Sequence, residues 1–404
     1  MKRLLAVVSS ALLLLLLSAG RAGSSPGYPV PEQDPFYAVP GDVASYADGA
    51  VLDSRAISAS AFGFPLPVTA WQIKYRTEDE RGAASATVTT VLVPKAAWTK
   101  PGPRPLVSYQ TAEDGVDGHC APSYALRAGL RAGFTNSASE IPLAAQALLR
   151  GWAVAMPDYE GLRSEFLVAG VEARGVLDGI RAVKRFAPAG VAVNAPVGLW
   201  GYSGGSLASV TAAQLQPSYA PDVQLAGVAL GGLVADIRTT IDKFSGSFAG
   251  GAIPMGINGF LRHYPELHLE QYLTASALKK VAQTAGDCIY ESGARYPFLR
   301  LSQLEATPAA LSLPPVAGML RANSPLYRPG VPQAPIYHYH ARLDEFAPLG
   351  PARALMQRFC AAGAVVQSVV KPLGEHLSEI ALGAPGALAF LAKRFAGQPP
   401  VDTC

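Results

Sequence analysis

Val197-Gly-Leu-Trp-Gly-Tyr-Ser-Gly-Gly-Ser206 places a serine between glycines at 201 and 205, where an apolar run ends and a second, small-residue run, Leu207 to Leu215, begins. The first run reads as a buried strand and the second as a helix. A strand that turns at once into a helix holds the residue at the turn in strained φ/ψ, and side chains beside it would clash. Gly201 and Gly205 remove those clashes and leave the Ser203 hydroxyl projecting above the sheet. The helix that follows aims its first N–H groups, and the positive end of its dipole, at any oxyanion formed there. The chemistry this context serves is nucleophilic acyl transfer. With 40 glycines in the chain, roughly 0.3 matches to Gly-x-Ser-x-Gly arise by chance. An ordinary strand-to-helix turn is therefore the competing reading, and partners for the serine must decide.

The elements that would position such a serine can be followed along the chain. After a proline-rich leader (Pro26 to Pro40), Trp71 to Thr77 and Ala86 to Pro94 alternate apolar and polar residues, as half-exposed paired strands do. Pro105 to Gln110 is a third strand, followed by a polar loop, Thr111 to His119. Ile141 to Arg150 reads as a helix, Trp152 to Met156 as a buried strand and Gly170 to Phe186 as an amphipathic helix. Beyond the elbow come a strand at Leu225 to Leu230, a strand at Ala334 to His340, a helix at Pro351 to Ala361, a strand at Val365 to Val370 and a helix at Leu377 to Phe395. Strands alternating with helices predict a mostly parallel sheet with helices on both faces, and the serine elbow makes it an α/β-hydrolase fold. The alternation breaks between about residues 232 and 330, which reads as an insertion capping the sheet, with a helix near Leu267 to Ala282.

In this fold the partners follow in the order nucleophile, acid, histidine. Six histidines are present: His119, His263, His268, His338, His340 and His376. Asp344 lies just beyond the strand at 335–340, and only His376 follows it, between a strand and the last helix. Asp222, Asp236, Asp242 and Asp287 also lie between Ser203 and His376, but none follows so clear a core strand. The expected triad is thus Ser203, Asp344 and His376. Taken singly, Asp344 reads as a turn carboxylate and His376 as a capping or surface histidine. Glu345 and Glu375 read as solvated neighbours, and His338 and His340 as packing residues on one strand rather than a metal pair.

Composition narrows the setting. The chain has 404 residues, 50% hydrophobic and 16% charged, with 33 basic and 30 acidic residues for a net charge of +3. No basic cluster suggests nucleic acid. Met1-Lys-Arg3, the apolar run Leu4 to Leu17 and then Ser-Ala-Gly-Arg-Ala-Gly read as a secretory signal peptide, cleaved between about residues 20 and 24. An apolar run of about 14 residues is too short to span a bilayer comfortably. The alternative is an uncleaved membrane anchor. The expected organisation is a signal peptide over 1–24 and a catalytic domain over 25–404, secreted or held at the cell envelope. Export would place Cys120, Cys288, Cys360 and Cys404 in an oxidising space, where four cysteines suggest two bridges and three pairings. Metal binding is not expected, since no two cysteines lie close in sequence, and the acyl chemistry calls for no cofactor.

Tyr109-Gln-Thr-Ala-Glu-Asp114, Cys120-Ala-Pro-Ser-Tyr124, Leu177-Asp-Gly-Ile-Arg-Ala182, Gly201-Tyr-Ser-Gly-Gly205 and Glu375-His-Leu377 stand together in one chain. On these segments the chain resembles the secretory lipases of the Candida antarctica lipase A type. The resemblance implies Ser203 as nucleophile, Asp344 as acid and His376 as base, with oxyanion donors at Asp114 and Gly204. It also implies bridges Cys120–Cys288 and Cys360–Cys404, and makes the insertion a cap over the acyl site. The resulting expectation is a secreted, monomeric lipase acting on carboxylic esters of acylglycerols and touching the lipid interface without spanning it. Its acyl chain would lie against Phe244, Phe248, Ile253, Met255 and Phe260, residues that would otherwise be ordinary core. Rival expectations are an exported acyltransferase or peptidase with the same triad, and a non-catalytic surface protein that binds lipid.

Overall fold

The computed structural model describes residues 28–404. The signal-peptide reading over 1–24 lies outside the described residues. A nine-stranded sheet runs β1 (Val51–Ile57), β4 (Val68–Glu78), β5 (Ala84–Pro94), β7 (Ala153–Pro157), β6 (Leu106–Gln110), β8 (Val197–Tyr202), β9 (Leu225–Gly231), β10 (Ile336–Ala341), β11 (Val366–Lys371). The small hairpin β2 (Ser60–Ala61) and β3 (Phe64–Pro65) stands apart from it. From β1 to β7 the neighbours pair antiparallel, and from β7 through to β11 they pair parallel. β6, β7 and β8 are buried along their whole length and β9 over its last five residues. Their near-continuous apolar runs match strands covered on both faces.

Helices supply the cover. α1 (Pro122–Ala128) and α2 (Asn136–Leu149) follow β6, α3 (Ala169–Arg185) follows β7, and α4 (Gly204–Tyr219) follows β8. Between β9 and β10 lie α5 (Ile237–Phe244), α6 (Ala252–His263), α7 (Ala275–Gln283), α8 (Ile289–Arg295) and α9 (Pro314–Asn323). α10 (Leu349–Ala361) and α11 (His376–Phe395) complete the alternation. On one face, Val176, Ile180 and Val183 of α3, Val210 of α4 and Leu355 and Phe359 of α10 pack with Leu199, Val228 and Ile336 of the sheet. On the other, Ile141 and Leu148 of α2 and Leu388 and Leu391 of α11 pack with Trp200, Ala229 and Tyr339. Interdigitated apolar layers of this kind hold the strand ends, and with them the loops they carry, in fixed register.

One expectation needs correction, and one strand lies where none was expected. Between Pro40 and Trp71, Val51–Ile57 forms edge strand β1, which is only half-buried and carries Asp53 and Arg55, so it shows no clean alternation. The helix expected over Leu267 to Ala282 begins only at Ala275. His268 takes a left-handed φ of 46° between two short 3₁₀ turns, and Thr274 then accepts from Ala277 N to start the helix afresh. Both bridges implied by the resemblance are formed, Cys120–Cys288 and Cys360–Cys404, with Cα separations of 5.6 and 5.4 Å.

Candidate functional site

The loops at the C-terminal ends of β6, β8, β10 and β11 meet over the sheet. β8 ends at Tyr202, and Ser203 follows with φ 52° and ψ −123°, the strained turn that the serine elbow demands. Its N–H is held by Gly231 O at 3.0 Å. A Cβ on Gly205 would lie 2.0 Å from Gln110 O, and one on Gly201 would lie 2.1 Å from Gly205 O. Any larger residue at either position would push strand and helix apart.

Ser203 Oγ lies 2.8 Å from His376 Nε2. His376 Nδ1 in turn lies 2.8 and 2.9 Å from the two carboxylate oxygens of Asp344. Asp344 Oδ1 also accepts from Phe346 N at 3.0 Å and Ala347 N at 2.7 Å, so the carboxylate is fixed before the imidazole meets it. Burial alone would raise the Asp344 pKa; the hydrogen bond and charge of His376 more than offset this and hold it below the usual carboxylate value. The arrangement can pass a proton from hydroxyl to imidazole while a fixed anion faces the far ring nitrogen. His376 is the first residue of α11, and Glu375 caps that helix by accepting from Leu377 N and Ser378 N.

Asp114 sits on the loop after β6 with φ 40°. A Cβ on Gly204 would come within 2.1 Å of Asp114 Oδ1, so glycine at 204 is what lets the two residues abut beside Ser203. Asn136 Nδ2 donates to Asp114 Oδ2 at 3.0 Å, and Ile289 N donates to Asp114 O at 3.0 Å. The Cys120–Cys288 bridge and the Gly115–Cys288 pairing pin the same loop to α8.

Three of the predicted side chains join an apolar cavity that opens on Ser203 and holds about 1080 Å³ of space including its mouth. Phe244, Ile253 and Phe260 line it, whereas Phe248 and Met255 do not. On α6 the lining residues are Ala252, Ile253, Gly256, Ile257 and Phe260, the last four forming the i, i+3, i+4, i+7 stripe of one helix face. Met255 falls on another face and packs with Val116 and Phe166. Phe248 lies in the loop before α6, half in solvent, with its ring against Phe346.

Residue type alone missed several contributors. Glu345 is not merely solvated: its Oε2 accepts from His376 N at 2.9 Å. His338 and His340 pack inside the sheet as expected, but they also form a chain, His338 Nε2 to His340 Nδ1 at 3.3 Å, and His340 Nε2 reaches Ala347 O at 2.9 Å and Asp344 Oδ2 at 3.4 Å. Around the Asp114 loop lies a set of buried carboxyls that sequence gave no reason to bury. Glu140 takes the Ala112 N–H at 2.9 Å, Glu172 the Leu167 N–H at 3.0 Å, and Asp158 the Ser123 N–H at 3.0 Å.

Burial pushes these three acids up to about 8, 8 and 7 respectively, and Asp114 up to about 6. Each folded value lies above that of the unfolded chain, so the neutral forms stabilise the fold fully below about pH 4, and that contribution is lost as pH rises through 6 to 8. Melting temperature is therefore expected to fall between pH 5 and pH 9 at constant ionic strength, measured by thermal denaturation. A flat or rising profile over that range would contradict the neutral-carboxyl assignment.

A serine on a strand-to-helix elbow, at the C-terminal edge of a mostly parallel sheet, places the molecule among the α/β-hydrolases. The fold overlays on the closed state of Candida antarctica lipase A with TM-score 0.84 at 30% identity, covering 93% of this chain and 88% of that one. A cell-wall-degrading esterase of Xanthomonas oryzae shares the fold at 18% identity and TM-score 0.69, covering 88% of this chain and 100% of that one. Residues 128–403 match the family model for secretory lipase. Lipase 5 of Candida albicans is 34% identical over 389 residues, 93% of this chain and 83% of that protein, and lipase A of Moesziomyces aphidis is 32% identical, covering 93% and 82%. The chain belongs to the secretory lipase family and is a secreted carboxylic ester hydrolase.

Proposed function

We propose that the protein hydrolyses carboxylic esters of acylglycerols through an acyl-enzyme on Ser203. The observation that carries this reading is the unbroken hydrogen-bonded chain from Ser203 Oγ through His376 to Asp344. His376 takes the Ser203 proton as the hydroxyl attacks the ester carbonyl, then returns it to the departing alcohol. Asp344 keeps the imidazole in the tautomer whose Nε2 can accept, and stabilises the imidazolium. The backbone N–H groups of Asp114 and Gly204 receive the tetrahedral oxyanion, each worth about 3 kcal/mol of transition-state stabilisation. Water then attacks the acyl-enzyme by the same acid–base route in reverse.

The segment 232–330 serves as the cap, and the apolar cavity beneath it takes the acyl chain, with Phe244, Ile253 and Phe260 among its walls. Residues 1–24 act as the signal peptide that delivers the 25–404 catalytic domain. The triad and both donors come from one chain, which supports a monomer as the working unit. Phe248, Leu343 and Leu377, all more than half exposed beside the triad elements, support contact with a lipid interface. Among the described residues no helix is long and apolar enough to cross a membrane.

The acyl assignment is tested by filling the cavity. Ile253→Trp is expected to lower kcat/KM for long-chain esters on the order of tenfold or more while short-chain esters keep nearly full turnover. Measured across a series of ester chain lengths, an equal loss on short and long substrates would remove the cavity from the acyl role.

A further inference from the structure

The main chain of the proposed base is held at both ends by residues that adjoin its two partners. Tyr202 immediately precedes Ser203, and its hydroxyl donates to His376 O at 2.7 Å. Glu345 immediately follows Asp344, and its Oε2 accepts from His376 N at 2.9 Å. Tyr202 is 2% exposed, its ring lies 5.1 Å from the imidazole, and the Phe346 ring stands edge-on to that imidazole at 5.3 Å. Neither Tyr202 nor Glu345 is in contact with the hydroxyl of Ser203 or the ring nitrogens of His376 through a hydrogen bond.

We propose that Tyr202 and Glu345 are positioning residues which clamp the His376 backbone, so that the imidazole is locked to the nucleophile's strand on one side and to the acid's loop on the other. His376 needs such a clamp because of where it sits. It is the first residue of α11, preceded by Gly374 at φ 116° and by the exposed Leu373, so the chain leading into it has little packing of its own. First-turn N–H groups of a helix lack intrahelical partners, and the His376 N–H is one of them. Glu345 satisfies it. The His376 carbonyl, although free to join the helix ladder, also accepts from a buried phenol that shares its backbone with Ser203. A shift of about 1 Å in the imidazole would stretch the 2.8 Å contact to Ser203 beyond hydrogen-bond range. Displacements of that size are worth on the order of a hundredfold in rate.

This inference rests on the acyl-enzyme reading of Ser203, and the test separates the two. Tyr202→Phe removes only the hydroxyl, and Glu345→Ala removes the acceptor. Each is expected to lower kcat for a soluble ester roughly ten- to a hundredfold, with KM and melting temperature unchanged. Glu345→Gln keeps an acceptor oxygen and is expected to recover most of the loss. The low-field proton resonance of His376 Nδ1–H is expected to broaden in Tyr202→Phe and Glu345→Ala but not in Glu345→Gln. Wild-type kcat in both Tyr202→Phe and Glu345→Ala overturns the clamp, as does a loss that tracks a lowered melting temperature, or one that Gln does not relieve. Ser203→Ala serves as the control: if it still hydrolyses the ester, the acyl-enzyme reading itself has failed, whatever the clamp variants do.

Discussion

Ser203→Ala is expected to lower kcat for ester hydrolysis at least ten-thousandfold, on the order seen when a triad serine is removed. The serines that follow it on α4 are already engaged. Ser206 Oγ already donates to Ser203 O at 2.5 Å, and Ser209 Oγ is tied to Gln110 and to Gly205 O. The substitution leaves the turn intact, because alanine carries the same Cβ into the strained φ of 52° and the N–H bond to Gly231 is a backbone bond. KM and melting temperature are therefore expected to stay near wild type, and the loss falls on the chemical step. Initial-rate kinetics on a soluble ester, with thermal denaturation beside them, check this. Retention of more than a few per cent of wild-type kcat would place the nucleophile elsewhere.

Asp344→Asn is expected to cost about ten-thousandfold in kcat with little effect on folding. Asparagine retains an oxygen that can accept from Phe346 N and Ala347 N, so the acid loop keeps its shape. Its amide NH₂ would then face His376 Nδ1, which today points at a carboxylate oxygen 2.8 Å away. A donor in that place selects the tautomer with the proton on Nε2, and such an imidazole cannot take the proton from Ser203. The predicted signature is a large fall in kcat, a preserved melting curve and slow labelling by serine-reactive reagents. A fall of less than tenfold would mean that the carboxylate does not set the tautomer.

The residues that sequence made legible are those whose chemistry restricts the choice. Gly201 and Gly205 had to be glycine because a Cβ at either would strike backbone, and that requirement is visible as a spacing. The parallel strands were legible because burial on both faces leaves nearly unbroken apolar runs, as in β7 and β8. His376 stood out by order alone, being the last of six histidines and the only one beyond Asp344. What stayed hidden depends on which way a side chain turns. Met255 and Ile253 are equally apolar, and only the helical turn of α6 sends one to the cavity and the other to Val116 and Phe166. Glu345 looks like any loop acid until the fold brings the His376 N–H to it across 31 positions. Edge strand β1 was missed because none of its positions is fully buried and its exposed positions do not alternate, so it shows neither an apolar run nor a period of two. The buried carboxyls around Asp114 were hidden for the opposite reason: their residue types belong on surfaces, and only a site that needs a rigid, hydrogen-bonded loop gives them a place inside.

The most direct measurement is covalent capture of the nucleophile. Incubation of the protein with an alkyl phosphonate that mimics the tetrahedral intermediate, followed by intact-mass analysis and peptide mapping, reads out which atom carries the attack. The expected result is one adduct per chain, located on Ser203, forming at the rate at which ester hydrolysis is lost and greatly slowed in His376→Ala. Full inactivation with the label on any other residue, or full activity in protein labelled at Ser203, would contradict the account.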